Sequence, residues 1–456
     1  MTPAQENERM LARVLGISED EAATKLSRSV AITAAGGEAA VFAAELKAQL
    51  ERTITVVGLG EPSDLEVTIH APPQHAAPKT LTVAIGANEV AIGQNPVQDA
   101  AAPEPLHGVQ RVLSACYAAG VVLAHLIDEL RSSDLPDPFV IRFDALGANR
   151  AILSVPINLA DAVLAGAGAV GNGFLYAARH LDISGTLAVV DPKIVGEGNP
   201  NRCLFFDHDD VGKPKAMRLA VRAQPDFPRL RLEPNVATFS DFRRARGRVR
   251  RVIVGTDSRR ARRTIQDELP LEVLDASTTG ITEVIVHSHR QPTTEACLAC
   301  IYRHIPDEMV RERAIAEGLG IPLKDVTSGA LIDARLASII AALHPGLDAT
   351  ALIGVAFDSL YKQLCAEQTL LTAAGEQTLA PFAFVSNLAG ALLAIELVRF
   401  DSGQRFIDGR NYLFASPWTP PHTHLRRVRP RASDCGFCGK PTARFAWQAV
   451  WPEIQS

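Results

Sequence analysis

The chain has few aromatic residues and no large excess of charge of either sign. Aromatics make up 5% of its 456 residues, while alanine, leucine and valine are plentiful, which favours α/β or helical packing over a β-sandwich. The net charge is −5, from 46 basic and 51 acidic residues, and gives no reason to expect a nucleic-acid partner. The length predicts two domains, or one large domain with an insertion.

A secretion signal and a long uninterrupted apolar run are also missing. The first ten residues are polar and acidic. The longest apolar stretches, 121–127 with its flanks and 381–398, are too short to span a bilayer or contain Asn387 and Glu396. We therefore expect a cytoplasmic protein without a membrane partner. In that compartment the seven cysteines indicate metal or catalytic thiols rather than disulfides.

A glycine-rich turn follows an apolar run and precedes a helical pattern. Gly166, Gly168 and Gly171 would let the backbone turn tightly and approach a phosphate, whose charge then faces the positive end of the helix dipole. A second apolar run ends at Asp191, which we expect to accept hydrogen bonds from ribose hydroxyls. This βαβ unit by itself would suit NAD as well as ATP.

The residues beyond the second apolar run distinguish the two nucleotides. They include amide and basic side chains and an aspartate that closes a later apolar run: Asn199, Asn201, Arg202, Lys215 and Asp257. Attack of a carboxylate on the α-phosphorus of ATP brings two anions together, so bidentate arginine, lysine and a Mg²⁺-binding aspartate would be needed there. An NAD(P)-dependent oxidoreductase would use the glycine loop but would leave these residues unexplained.

Together these motifs resemble the adenylation core of the ThiF/MoeB/ubiquitin-E1 superfamily, over about residues 160–300 and more loosely over 380–440. The resemblance implies a Rossmann-like domain with a mostly parallel sheet that binds ATP and Mg²⁺. It implies that Asp191 binds ribose and that Asp257 is linked to Mg²⁺. It assigns the phosphates to three residues: Asn201, Arg202 and Lys215.

Two positions depart from the family pattern, and one family residue has no clear counterpart. Cys203 stands where glutamine is usual, and Lys193 stands where a second acid is common. Either change could tune the pocket or reduce activity. An arginine often reaches the site from a partner subunit or pseudo-domain, and nothing in the sequence ranks three candidates for it: Arg9, Arg13 and Arg142.

Four of the cysteines form two C-x-x-C pairs: Cys297, Cys300, Cys435 and Cys438. Two such pairs match a closed tetrahedral Zn²⁺ site, although the long gap between them weakens an argument from spacing alone. The superfamily resemblance supports the zinc interpretation, because its members bring two such pairs together. A redox dithiol is the alternative, but it explains one pair and not two.

The chain divides by pattern into residues 1–150 and 151–456. The first part predicts an α/β domain without a chemical motif, and by analogy with two-domain E1 enzymes it would be a degenerate adenylation-like half. A mainly helical insertion at about 301–380 interrupts the second part. In E1-type members a cysteine in this crossover region attacks the acyl-adenylate, so the resemblance makes Cys365 a candidate nucleophile. A packed helical cysteine is almost as good an interpretation.

The resemblance thus implies an enzyme that adenylates the C-terminal carboxylate of a ubiquitin-like or sulfur-carrier protein ending in glycine. The acyl group would then pass to Cys365 as a thioester, and on to an acceptor or E2-like protein. The resemblance also implies a homodimer and suits a bacterial ubiquitin-like conjugation system. The alternatives are a catalytically inactive E1-like scaffold, the oxidoreductase, and within the superfamily a tRNA-modifying dehydratase or a peptide-modifying adenylase.

Overall fold

The computed structural model describes residues 3–58, 60–94, 105–131, 135–302, 306–366 and 382–454. Two sheets organise it. The first belongs to an N-terminal unit whose elements are α1 (Pro3–Leu15), α2 (Glu19–Leu26), β1 (Ser29–Ala34), α3 (Glu38–Leu50), β2 (Thr55–Val57), β3 (Leu65–Ile69), β4 (Thr80–Ile85), β5 (Glu89–Gly93), α4 (Gly108–Leu126), β6 (Phe139–Arg142), α5 (Phe143–Leu146) and α6 (Arg150–Leu153). Its strand order is β2-β1-β3-β4-β5-β6, and β2 to β4 run parallel.

The second sheet carries the glycine loop. Its elements up to the insertion are β7 (Ile157–Asn158), β8 (Ala162–Ala165), α7 (Ala169–Ala178), β9 (Ile183–Val190), α8 (Lys215–Ala223), β10 (Leu230–Asn235), α9 (Phe239–Arg246), β11 (Arg251–Val254), α10 (Arg259–Asp267), β12 (Glu272–Thr279), β13 (Glu283–Arg290) and α11 (Leu298–Ile301). Strands β8 to β12 pair in parallel in the order β10-β9-β8-β11-β12, whereas β13 pairs antiparallel with β12.

A helical insertion separates β13 from the last strands. It consists of α12 (Pro306–Leu319), α13 (Leu323–Thr327), α14 (Ala334–Leu343), α15 (Ala349–Leu352) and α16 (Phe357–Ala366). Side chains such as Leu336, Ile340 and Leu360 form a hydrophobic core of the insertion's own. The expected helical crossover insertion is therefore confirmed.

The chain returns to the sheet through a long buried helix. The closing elements are α17 (Ala383–Asp401), α18 (Gln404–Asp408), β14 (Tyr412–Ala415), β15 (Arg426–Arg427) and α19 (Pro441–Val450). Helix α17 packs against α7 and α4 and against β12 and β13. Helices α4 and α17 are long and apolar enough to cross a membrane, but nearly all residues of both helices are buried inside the protein, which accounts for their composition.

Short apolar runs form the parallel strands for a simple reason. All four residues of β8 are buried, as expected for a strand covered on both faces. Because the carboxyl ends of parallel strands meet at one edge, the residues following β8, β9 and β11 lie at the same edge of this sheet. The prediction of an α/β fold with a mostly parallel Rossmann-like sheet is confirmed, with antiparallel strands added at one end.

Candidate active site

The glycine loop joins β8 to α7 at the carboxyl edge of the sheet. Gly166 has a φ of +104°, which side-chain-bearing residues rarely adopt, and a Cβ there would lie 2.7 Å from the Thr256 amide nitrogen. A Cβ at Gly171 would lie 2.0 Å from the Gly166 carbonyl oxygen. Gly168 precedes the first residue of α7, and a Cβ there would have no other atom within 4 Å. The loop therefore leaves room for a ligand beside the positive end of the helix.

Asp191 follows β9 and supports the glycine loop directly. Its Oδ2 accepts a hydrogen bond from the Ala167 amide at 2.8 Å, and its Oδ1 accepts one from the Lys193 amide at 2.7 Å. The side chain is buried. Since each carboxylate oxygen has two lone pairs, Asp191 retains acceptor capacity for a ribose while it braces the loop.

The segment 199–202 contacts the N-terminal unit. Asn201 and Asn7 of α1 exchange two side-chain hydrogen bonds, with N···O distances of 2.9 and 3.1 Å. Arg202 forms an ion pair with Glu6 and donates to the Gly198 carbonyl at 3.1 Å. These contacts place helix α1 over two of the residues expected to bind phosphate.

Asn199 stabilises the turn that follows the second strand, a role that was not predicted from the sequence. Its Oδ1 accepts a hydrogen bond from the Gly196 amide at 2.8 Å, and its own carbonyl accepts from the amides of Arg202 and Cys203. The side chain is buried. Asn199 thus shapes the turn that presents Asn201 and Arg202.

Lys215 begins helix α8 and is 8% exposed. Its amide donates to the Lys193 carbonyl at 2.9 Å. Among the residues that the structure describes, no side chain accepts a hydrogen bond from its Nζ. A buried ammonium needs a compensating anion, so the charge of Lys215 fits a site built for phosphate.

Asp257 lies just after β11, and its carboxylate is paired with an unexpected cation. The Nζ of Lys193 lies 3.0 and 3.1 Å from the two carboxylate oxygens of Asp257, and 3.2 Å from Oδ2 of Asp358 on α16. Burial lowers the pKa of Lys193, but the two carboxylates more than offset burial, so the pKa is raised and the ammonium stays charged. A carboxylate that already holds a cation at this edge suits Mg²⁺ chemically.

Lys193 departs from the family pattern, and its ion pairs with Asp257 and Asp358 were not predicted from the sequence. Its position two residues after Asp191 was a visible signal. Its partners could not be inferred, because Asp257 is 64 residues away and Asp358 lies in another part of the fold. Glu6 and Asn7 were missed for the same reason.

Cys203 is a packing residue beside the phosphate-binding segment. It is fully buried within the main hydrophobic core. Burial raises the pKa of its thiol to about 11, although the nearby Arg202 and Lys215 cations act to lower it. A protonated, inaccessible thiol cannot serve as a transfer nucleophile.

The candidate thioester cysteine lies on helix α16. The backbone of Cys365 belongs to Phe357–Ala366, but its side chain lies outside the described residues. The three candidate arginines also differ in setting. Arg9 pairs with Glu19 at 3.2 Å on the surface, and Arg142 pairs with Asp144 at 3.0 Å. Arg13 is in the last turn of α1.

The structure brings the four C-x-x-C cysteines together. Their sulfur atoms lie within 4.8 Å of one another: Cys297 is 3.8 Å from both Cys300 and Cys435, and Cys300 is 3.3 Å from Cys438. Tetrahedral zinc with Zn–S bonds of about 2.3 Å holds its sulfurs about 3.8 Å apart. The cluster can therefore hold a zinc ion, and it would tie the segment after β15 to α11.

Comparison with known proteins agrees with this architecture. Residues 1–149 match the model of the E1 N-terminal domain, and residues 156–437 match the model of the ThiF family. A curated relative, the uncharacterized protein y4jF of Sinorhizobium fredii (strain NBRC 101917 / NGR234), is 28% identical over 264 residues, which are 55% of this chain and 51% of that protein. The chain thus spans about half the length of this relative.

A solved structure, that of E. coli MccB with ATP, is similar at 12% identity. The match covers 79% of this chain and 98% of the other, with a TM-score of 0.37. The family match covers more than half of the sequence and includes the glycine loop, Asp191, Lys215 and Asp257. This chain belongs to the ThiF family.

Proposed function

We propose that the protein is an ATP-dependent activating enzyme that adenylates the C-terminal carboxylate of a small carrier protein. The observation that supports this most directly is the convergence of Asp191, Lys215 and Asp257 on Lys193 beside the glycine loop. A dinucleotide-dependent oxidoreductase has no use for the buried lysine and the paired aspartate at this edge.

The reaction follows from the charges of these groups. A carboxylate oxygen of the carrier attacks the α-phosphorus of ATP, the bond from that phosphorus to the bridging oxygen breaks, and pyrophosphate leaves. The product is an acyl-adenylate. Lys215 and Arg202 would hold phosphate oxygens and offset the charge that accumulates between the two anions. Asp191 would hold the ribose and so align the α-phosphorus.

Mg²⁺ would bind at Asp257 and neutralise the leaving pyrophosphate. The carboxylate suits the ion because it is exposed at the edge of the sheet and already accepts a cation on both oxygens. Lys193 occupies both oxygens of this carboxylate in the structure, so binding of Mg²⁺ there would displace the ammonium.

The carrier, the later steps and the assembly are proposed on the family's pattern. The carrier would be a ubiquitin-like or sulfur-carrier protein with an exposed C-terminal glycine. Its acyl group would pass to Cys365 as a thioester and then to an acceptor or an E2-like protein. We also propose a cytoplasmic homodimer, with one zinc ion at the four-cysteine cluster.

An ATP–pyrophosphate exchange assay tests the central claim. Exchange should require both Mg²⁺ and a protein ending in an exposed glycine carboxylate, and Asp257→Ala should lower it by about 100-fold or more. Absence of exchange with every such carrier would reject the proposal. A DTT-sensitive adduct with the carrier should disappear in Cys365→Ala, and its survival would exclude Cys365 as the thioester residue.

Two internal ion pairs favour the alternative of an inactive scaffold. Arg202 is paired with Glu6 and Asp257 with Lys193, so both groups are neutralised in the absence of ligand. An inactive scaffold would retain the fold and the zinc but would not catalyse ATP–pyrophosphate exchange, whereas an enzyme would break these pairs on binding ATP and catalyse it. The ATP–pyrophosphate exchange assay with the carrier distinguishes the two, and calorimetric titration with NAD tests the oxidoreductase.

A further inference from the structure

Lys193 occupies the centre of the candidate site through its main chain. Its amide donates to Asp191 at 2.7 Å, and its carbonyl accepts from the Lys215 amide at 2.9 Å. The backbone of Lys193 is therefore fixed between the residue proposed to hold ribose and the residue proposed to hold phosphate. Any ligand that shifts either residue also shifts Lys193.

The Lys193 side chain joins the nucleotide-binding domain to the helical insertion. Its ammonium lies between Asp257, which follows β11, and Asp358 on α16. The side chains of Lys193 and Asp358 are 22% and 17% exposed, so this pair is only partly screened by water. One cation thus links the edge of the sheet to an element of the insertion.

The described part of the insertion combines a hydrophobic core of its own with ion pairs that reach the nucleotide-binding domain. Its hydrophobic core is its own, separate from the core of the sheet. Arg311 of α12 also pairs with Asp358, which would satisfy this carboxylate within the insertion if Lys193 left it. A second ion pair, between Arg260 of α10 and Glu312 of α12, also joins the insertion to the sheet domain, with N–O distances of 2.6 and 2.8 Å.

We propose that Lys193 couples occupancy of the nucleotide site to the docking of helix α16. This inference rests on the proposed function, since it requires ATP and Mg²⁺ at this site. A divalent cation and the ammonium compete for the same two oxygens of Asp257, and a triphosphate attracts Lys193 more strongly than one carboxylate does. Lys193 then leaves Asp358, and α16, which carries Cys365, is released from the nucleotide-binding domain.

Hydrogen–deuterium exchange of the full-length protein tests the coupling without measuring activity. Amides of residues 357–361 should exchange about fivefold faster in wild type once ATP and Mg²⁺ are added, since a partly buried ion pair is lost. In Lys193→Met the same amides should show the faster hydrogen–deuterium exchange even without ligand. Addition of ATP and Mg²⁺ should not increase that rate further. Lys193→Arg retains the charge and should behave as wild type.

A matched control is available in the other ion pair of the insertion. Arg260→Met removes the contact with Glu312 but leaves Lys193 in place, so α16 should still respond to ATP and Mg²⁺. A general loosening of the insertion would instead remove the response in this variant as well, and that result would overturn the specific role of Lys193.

The outcomes separate this inference from the proposed function. If the protein catalyses ATP–pyrophosphate exchange but hydrogen–deuterium exchange in α16 does not change when ATP and Mg²⁺ are added, the coupling is wrong and the proposed function stands. If the α16 amides of Lys193→Met show the wild-type rate of hydrogen–deuterium exchange without ligand, Lys193 does not hold α16 in place. That conclusion applies whether or not ATP changes the rate. If ATP and Mg²⁺ do not bind, the proposed function fails and the coupling fails with it.

Discussion

Glu6, on the N-terminal helix, forms an ion pair with Arg202 of the nucleotide-binding domain. A Cβ at the neighbouring Gly198 would lie 1.8 Å from a carboxylate oxygen of Glu6, so a side chain at this position would push the Glu6 carboxylate out of its place beside Arg202. The N-terminal unit is therefore fitted against the segment proposed to bind phosphate. In the proposed function, Glu6 would compete with phosphate for the same guanidinium.

Glu6→Gln should lower the KM for ATP in the exchange assay by about fivefold with little change in kcat. The reason is that ATP would no longer displace a carboxylate from Arg202, and a partly buried ion pair is worth about 1 kcal/mol. Steady-state kinetics at varied ATP concentration provides the measurement. Glu8→Gln on the same helix is the matched control and should leave KM unchanged. An unaltered KM in Glu6→Gln would show that Arg202 does not reach the nucleotide.

Lys215→Ala should lower the rate of ATP–pyrophosphate exchange by about 100-fold without unfolding the protein, because the buried cation proposed to bind phosphate is removed. The control is Lys213→Ala two residues earlier, where the side chain is exposed, and it should retain wild-type activity. Thermal melting of both variants checks the fold. Full activity in Lys215→Ala would remove this lysine from the proposed phosphate site.

Removal of the metal should detach the C-terminal segment. Cys435→Ser should abolish the bound zinc and lower the melting temperature, because three sulfurs no longer close the tetrahedral site and metal binding contributes to folding. Elemental analysis of the purified variant measures the zinc content. Cys116→Ala, at a buried cysteine of helix α4, should keep one zinc ion per chain. Retention of zinc by Cys435→Ser would exclude the four-cysteine site.

Cys203 should resist iodoacetamide in the native protein at pH 8. With its pKa raised to about 11, only about 0.1% of the thiol is ionised at that pH, and burial blocks the reagent as well. Mass spectrometry should find Cys203 modified only after unfolding in denaturant. Rapid native modification would contradict its assignment to the core.

The same shift gives Cys203 a defined effect on stability. The folded-state pKa is above that of an ordinary thiol, so the folded state binds the proton more tightly. The stabilisation that the raised pKa of Cys203 gives the folded state is complete below about pH 8.5, and it is lost as the pH rises towards 11. Denaturant unfolding at pH 8 and at pH 10.5 should therefore show a smaller alkaline loss of stability in Cys203→Ala than in wild type. Equal alkaline losses of stability in the two proteins would contradict a raised pKa for Cys203.

The parts of this protein that depend on local geometry could be predicted from the amino-acid sequence. The glycine loop, Asp191 at the end of a strand and the Lys215 turn are close in sequence, so their spacing predicted both the βαβ unit and the nucleotide edge. The buried runs also predicted the mostly parallel sheet, because strands covered on both faces are apolar throughout.

The contacts between residues far apart in the chain depend on the packing of the folded protein and could not be predicted from the sequence. The two C-x-x-C pairs were visible, but only folding brings Cys300 and Cys438 within 3.3 Å. Lys193 and Arg202 were visible as individual charges, but their partners Asp358 and Glu6 come from the insertion and the N-terminal helix. Spacing along the chain cannot encode such pairs, because the packing of separate elements determines which distant charges meet.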